Sequence, residues 1–255
     1  MKYFLITVFL LPAFCFLNAQ QGTGKVIYRM ILNLKVADDK PDSTGTSAFL
    51  FFKQGQSVFI YNSSDTKKND SMLVSADALH TYDLNTSDQL GEIFFSDYGL
   101  GKLTMREFVW KKPYISSESI PVINWSITKD TKNIGKMTCH KAVTTFRGRK
   151  YIAWFTYDIP LHMGPWKLNG LPGLILEAGD DANEVQFKFE SLEIPWTEHI
   201  SFIAPTQGDL VPISRFRDLW KTETEKLQKF FQSTAEKGTI IDMSLNHYPI
   251  EKTYE

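Results

Sequence analysis

Cys139 and His140 are adjacent in this 255-residue sequence, and both side-chain types can act in catalysis or bind a metal. A catalytic cysteine needs a neighbouring base to form its thiolate, and a zinc site needs three or four converging ligands. Neighbours on a strand point to opposite faces, so these two should not meet at one atom. None of the remaining histidines has the four-residue spacing of a helical metal site: His80, His162, His199, His247. We therefore interpret Cys139 as a small buried hydrophobe and assign no catalytic residue, metal or cofactor.

A second group with possible chemistry is the acidic stretch of Glu177, Asp180, Asp181 and Glu184. Oxygen-rich loops can hold Ca²⁺, but this spacing does not match the helix–loop–helix calcium pattern. Because acidic turns between strands are common, we interpret the stretch as such a turn. The alternative is a hydrolase or metal-dependent enzyme that brings this stretch into one cleft with Cys139 and with the histidines at positions 140 or 162.

Three cations, Arg147, Arg149 and Lys150, surround Gly148 in a predicted three-residue turn, Arg147-Gly148-Arg149. Arginine can hold phosphate or carboxylate by bidentate hydrogen bonds, although a solvated turn is the simpler interpretation. Tryptophan offers a large apolar area with one donor, so nearby tryptophans could line a pocket, while core packing explains Trp154 equally well. The candidate ligand-binding residues are Arg147, Arg149, Trp154, His162, Trp166 and Lys167.

The first 19 residues have the pattern of a secretory signal peptide. Lys2 supplies the charge, residues 4–17 are apolar, and Leu17-Asn18-Ala19 ends with a small residue. The apolar run is short and contains Pro12, so we expect no retained transmembrane span, and no second long apolar run exists. The formal net charge of −1 gives no basic field for nucleic acid. Removal of the signal also removes Cys15, which leaves Cys139 without an internal disulfide partner.

The rest of the chain, residues 20–255, predicts one β-rich domain. Apolar residues alternate along residues 24–36, which is typical of a half-buried strand. Short connections between successive strands favour an antiparallel meander. The further predicted strands are 48–52, 57–61, 80–84, 92–95, 102–110, 122–129, 141–146, 150–157, 174–178 and 185–192.

One long helix is predicted near the C-terminus from apolar residues at three- and four-residue steps between Ile213 and Phe231, with Ser214 as cap and Gly238 as end. Its opposite face carries mixed charges, which favours packing on the sheet over binding to a membrane surface. The predicted fold class is therefore α+β and mainly antiparallel: a curved meander sheet or half-barrel with one long C-terminal helix packed on it.

The stretch 164–177 combines glycines and prolines with apolar residues and reads as a shaped turn that leads into a strand. It lacks the Gly-Lys-Ser/Thr ending of a phosphate loop. The structural motif comprises Gly164, Pro165, Gly170, Leu171, Pro172, Gly173, Leu174 and Ile175.

Residues 134–177 resemble the exported proteins of the GLPGLI family, whose name is spelled by residues 170–175. The supporting pieces are residues 135–142, the turn 144–149, the strand 153–156, Ile159-Pro160 and residues 164–167, while an Asn-x-x-x-Ile-Glu pattern at 246–251 is compatible.

The resemblance implies an exported protein of Bacteroidetes that is periplasmic, associated with the outer membrane or secreted. The family has no assigned catalytic residues, and some members are encoded beside outer-membrane uptake receptors. The many aromatic strands and the lack of a recognisable catalytic constellation favour a non-enzymatic protein that binds an apolar or amphiphilic ligand, or a protein partner, on the concave face of the sheet. The family context adds an accessory role beside an uptake receptor.

Overall fold

A computed structural model describes residues 22–32, 45–62, 88–109, 111–234 and 250–253. The predicted signal peptide at 1–19, the predicted strand at 80–84 and the predicted helix end at Gly238 lie outside these residues. No helix within the described ranges is both long and apolar enough to cross a membrane.

The described residues form twelve strands of one sheet and a single helix. The strand order is β12-β6-β5-β4-β3-β2-β1-β11-β10-β9-β8-β7, and only the short β12–β6 pair is parallel. The bounds are β1 Gly24–Leu32, β2 Thr46–Lys53, β3 Gln56–Tyr61, β4 Glu92–Asp97, β5 Lys102–Val109, β6 Lys112–Ser119, β7 Ser126–Ile134, β8 Met137–Phe146, β9 Arg149–Thr156, β10 Leu174–Asp180, β11 Val185–Glu193, β12 Asp209–Leu210 and α1 Ile213–Thr234.

The predicted antiparallel sheet with a C-terminal helix is confirmed, but three strands differ from the prediction. Strand β6 and the two-residue strand β12 were not predicted, and in β6 the polar sequence and the early Pro113 hide the alternation. A strand was predicted at 122–129, whereas β7 begins at Ser126 and Val122 is 90% exposed. Since β7 is an edge strand with mostly exposed side chains, hydrophobic periodicity gives little signal there.

The turn between β8 and β9 has two residues, Arg147 and Gly148, rather than the predicted three. Their φ angles are 50° and 74°, which is the backbone of a tight hairpin turn whose twist matches that of the strands. Arg149 therefore begins β9 and pairs with Phe146.

The sheet curls strongly but does not close. In a flat sheet, the eight strand spacings from β6 to β9 would separate these strands by about 38 Å. Nevertheless, Glu118 on β6 and Arg147 in the turn before β9 form an ion pair of 2.9 Å. Phe59 on β3 and Phe187 on β11 also approach to 6.0 Å between ring centroids, although two strands lie between them. Side chains, rather than a hydrogen-bonded ladder, therefore join the two margins.

The inner face of the curled sheet holds the main hydrophobic core. The connection between β9 and β10, which contains the Gly/Pro motif, packs into this core instead of only turning a corner. Its buried side chains are Ile159, Met163, Trp166, Leu168 and Leu171. Each such apolar side chain contributes about 2 kcal/mol relative to an exposed one. Tyr28 of β1 ties the core to β10, because its hydroxyl donates to the carbonyl of Ile175 at 2.7 Å.

Helix α1 packs on the sheet as predicted. Phe216 contacts Tyr114 of β6, with 6.2 Å between ring centroids, and lies beside Val109 of β5. The helix begins at Ile213, so Ser214 lies inside it and does not occupy the predicted cap position. The carbonyl of Pro212 accepts the first helical bond, from the N–H of Phe216.

Candidate functional site

A buried group of charges lies where the two margins of the sheet meet. We call it the closure network, and it consists of Glu118, Arg147, Lys167, Arg217 and Glu251. The ammonium of Lys167 lies 3.1 Å from Glu118 and 2.6 Å from Glu251, and the guanidinium of Arg147 lies 2.9 Å from Glu118. Arg147 Nε also approaches Glu251 to 3.8 Å, and Arg217 approaches Glu118 to 3.6 Å.

Local backbone shape directs two of these cations into the network. Arg147 occupies the hairpin turn, and its carbonyl accepts the N–H of Lys252 at 2.9 Å, which holds the C-terminal residues against the turn. Lys167 follows Trp166, which has a φ of 55°, a strained value for a bulky residue. The indole of Trp166 packs on Phe146 and Tyr151, so burial of the ring maintains the backbone shape that places Lys167 inside.

The electrostatics of the network favour charged Lys167 and Glu118. Burial alone would lower the pKa of Lys167, but the carboxyls of Glu107, Glu251 and Glu118 outweigh it and raise that pKa above its usual value. Burial would likewise raise the pKa of Glu118, but Lys167 and the two arginines outweigh it and lower that pKa. Lys167 and Glu118 are therefore charged at neutral pH.

Glu107 on β5 behaves differently. Burial raises its pKa to about 8, Lys167 opposes this shift, and the carboxyls of Glu92, Glu251 and Glu118 reinforce it. Burial is therefore the main reason for a neutral Glu107 at neutral pH, and the nearby carboxyls add to its effect.

A second set of ion pairs lies beside the closure network and uses the predicted acidic stretch. Arg149 pairs with Asp180 at 2.6 Å and Glu184 at 2.5 Å, and it donates to the carbonyl of Ile250 at 2.6 Å. Lys252 pairs with Glu184 at 2.7 Å. Asp180 and Glu184 therefore neutralise Arg149, whereas Glu177 of the same stretch pairs with Lys132. No group of His, Cys, Asp or Glu in the described ranges is arranged to hold a metal.

The structure brings together part of the predicted ligand-binding set. Arg147 and Lys167 meet in the closure network beside Trp166, and Arg149 is adjacent through the C-terminal residues. The interpretation of the turn as solvated is wrong for both arginines, which are 9% and 3% exposed. Trp154 lies apart from them, under the ammonium of Lys132 at 4.6 Å, and His162 is exposed.

Sequence reasoning missed the acidic half of the network. Glu118 belongs to the missed strand β6, and Glu107 lies on β5, where no pattern separates it from a surface residue. Arg217 was assigned to the exposed face of the helix. For Glu251, the near-terminal Asn-x-x-x-Ile-Glu pattern was an available signal.

Cys139 has the properties of a buried structural residue. It is fully buried, and burial raises the pKa of its thiol to about 11, so the thiol is protonated at neutral pH. His140 packs its ring against Tyr157 at 4.8 Å between centroids. Its burial agrees with the interpretation as a small buried hydrophobe, and the alternative of thiolate chemistry has no support in this geometry.

A different surface lies on the opposite, outer face of the sheet. Strand registers place Ile27 opposite Phe49, Phe49 opposite Ile60, and Ile60 opposite Ile93, which makes an apolar row across β1 to β4. We call these four residues the outer row. Along each strand they alternate with buried residues that face the inner side of the sheet. The four residues are themselves half-buried, because side chains on the neighbouring strands lie on both sides of them.

Residues 194–208, which we call the strap, cross the outer face next to this row. Trp196 contacts Phe51 at 5.9 Å between centroids, and the carbonyl of Gln207 accepts a hydrogen bond from Arg106 at 2.7 Å. Val58 and Phe95 lie opposite each other on the same face, two residues along the strands from the outer row, and both are buried. The outer row thus remains as an apolar strip along one side of the strap.

Comparisons with known proteins give a family match over a short segment and a similarity of fold. Residues 147–177 match a family described as "Protein of unknown function (Porph_ging)", which is associated with Bacteroidetes. The fold is similar to that of PNGF-II in two crystal forms, P21 and C2, with a TM-score of 0.53 and 14% identity in each. These matches cover 79% of this chain but only 34% and 33% of the PNGF-II chain, so the chain spans about a third of that protein. No curated protein matches this chain.

Proposed function

We propose that this chain is an exported, non-enzymatic binding protein of the bacterial cell envelope, and that it recognises its partner or ligand with the outer row. The single observation that carries the proposal is the contrast between the two faces of the sheet. The inner face is filled by the chain's own segment 159–171, whereas the outer row keeps an apolar strip half-exposed. Because antiparallel sheets usually solvate their outer face with polar residues, an apolar strip there points to recognition.

A relationship to the GLPGLI family is part of this proposal. The matched segment, 147–177, contains the Gly170-Leu171-Pro172-Gly173-Leu174-Ile175 sequence. The ion pair between Lys167 and Glu251 also joins this segment to the near-terminal Asn-x-x-x-Ile-Glu pattern. Two separate parts of the sequence resemblance therefore meet at one buried contact, which supports a shared fold. The same resemblance and the signal-like residues 1–19 support the proposal of an exported location.

The ligand-binding role expected for Arg147, Arg149, Trp154, His162, Trp166 and Lys167 stays a prediction. The charges of Arg147, Arg149 and Lys167 are already matched by carboxylates of the protein. We assign them a structural role, in which Arg147 and Lys167 join the margins of the unclosed sheet through Glu118 and Arg149 joins β9 to residues 180–184 and to Ile250.

The proposal is tested by purifying the tagged full-length chain from its own cells after fractionation, followed by native mass spectrometry under mild extraction. We expect the protein in an envelope or secreted fraction, with a bound amphiphile or an envelope partner such as an uptake receptor. A cytoplasmic location, or bare protein from every fraction, would contradict the proposal.

A further inference from the structure

The outer row has the dimensions of a binding site for one extended chain. Its four residues occupy neighbouring strands, so the strip spans three strand spacings, about 14 Å. The strap forms one long side, where Trp196 lies near β2 and Phe202 lies under the ammonium of Lys53 at 4.8 Å. An apolar strip with a raised side accommodates a narrow chain better than a flat protein surface.

The two ends of the strip differ in charge. At the β5 end, Ile93 lies opposite Arg106, whose guanidinium is paired with Asp88 at 2.5 Å and bonded to the carbonyl of Gly91 at 2.6 Å. At the β1 end, the ammonium of Lys25 lies 4.2 Å from the ring centroid of Trp196 and 5.4 Å from that of Phe49. Lys25 lies opposite Glu193 in the β1–β11 register, but no ion pair joins it to a carboxylate of the described ranges, so this end offers a cation beside aromatic rings.

We propose that the outer row binds a single-chain anionic amphiphile, with its acyl chain across β1 to β4 and its carboxylate at the ammonium of Lys25. This inference rests on the proposed function, because it names the ligand class of the same surface. The apolar strip supplies the chain contacts, and Lys25 supplies charge complementarity and sets the orientation.

The test uses the purified full chain and a series of saturated carboxylates, from hexanoate to dodecanoate, in isothermal titration below their micelle concentrations. Each added methylene should tighten binding about fourfold until the strip is filled. Affinity that does not change with chain length would overturn the inference.

Variants locate the site. Ile60→Gln and Ile93→Gln should each weaken decanoate binding at least about tenfold, while Val122→Gln, at an apolar residue that is 90% exposed and outside the row, should leave binding unchanged. Lys25→Gln should weaken decanoate but leave decanol binding unchanged. A folded Ile60→Gln protein that binds decanoate like the wild type would overturn the inference.

Two further outcomes separate this inference from the proposed function. If native mass spectrometry recovers only an envelope protein and decanoate does not bind, the amphiphile inference fails and the proposed function stands. If analytical ultracentrifugation finds self-association that Ile60→Gln abolishes, the strip is an interface between copies and the inference also fails.

Discussion

Replacement of Lys167 by Met tests how the curled sheet is held together. The change removes the cation between Glu118 and Glu251 but keeps a similar side-chain volume. The side chain of Lys167 is 2% exposed, and those of its two partners are 10% and 8% exposed. Loss of one partner from a buried ion pair costs about 3–5 kcal/mol, because the remaining charge stays desolvated. Glu118 keeps Arg147 at 2.9 Å, and Glu251 keeps Arg147 only at 3.8 Å, so we expect about 3 kcal/mol.

The assay is urea unfolding at neutral pH, followed by tryptophan fluorescence. Lys226→Met is the matched control, since Lys226 pairs with Glu223 at 2.7 Å on the exposed face of α1 and should cost about 0.5 kcal/mol or less. The double variant Lys167→Met with Glu251→Gln should recover part of the lost stability, because it also removes the carboxylate that no longer has the Lys167 ammonium beside it. Equal effects of Lys167→Met and Lys226→Met would refute the assigned role of the closure network.

Three other predictions concern the motif, Glu107 and Cys139. A Cβ at Gly173 would lie 2.0 Å from the carbonyl oxygen of Thr156, so Gly173→Val should lower the stability by about 3 kcal/mol or prevent folding. As the control, a Cβ at Gly170 meets no atom, but the φ of 88° there means that Gly170→Ala should cost about 1 kcal/mol. A soluble Gly173→Val protein of normal stability in thermal unfolding would contradict this prediction. The pKa of Glu107 is raised from 4.5 to about 8, so between these pH values the folded state holds a proton that the unfolded state releases. The contribution of Glu107 to stability therefore falls as the pH rises from 4.5 to about 8, and Glu107→Gln should become progressively more stable relative to the wild type over that range. Parallel pH profiles of the two proteins in urea unfolding would refute the raised pKa. Since the pKa of the buried Cys139 thiol is about 11, iodoacetamide at neutral pH should modify it in urea but not in the folded protein, and rapid modification of the folded protein would show an accessible thiolate.

Local patterns made much of the fold predictable. Alternation identified β1, the Gly148 turn identified the β8–β9 hairpin, and apolar steps identified α1, because each of these signals lies within a few residues of the chain. Strand β6 and the edge strand β7 were missed or displaced, since their side chains are largely polar and pack on few neighbours.

The closure network was not predictable in the same way. Arg147 meets Glu118 from 29 residues away, and Lys167 meets Glu251 from 84 residues away, so only the curl of the sheet brings them together. The outer row did leave a signal in the sequence. The five consecutive apolar residues 48–52 indicate a strand that is apolar on both faces, whereas a solvated outer face would alternate.

Hydrogen–deuterium exchange of the full chain, with and without saturating decanoate, tests most directly which face recognises a ligand. We expect added protection in β1 to β4 and in the strap at 194–208, with no change in the segment 159–171 that fills the inner face. Protection confined to 159–171 and the neighbouring closure network would contradict recognition by the outer row, and no protection anywhere would contradict an anionic amphiphile as its ligand.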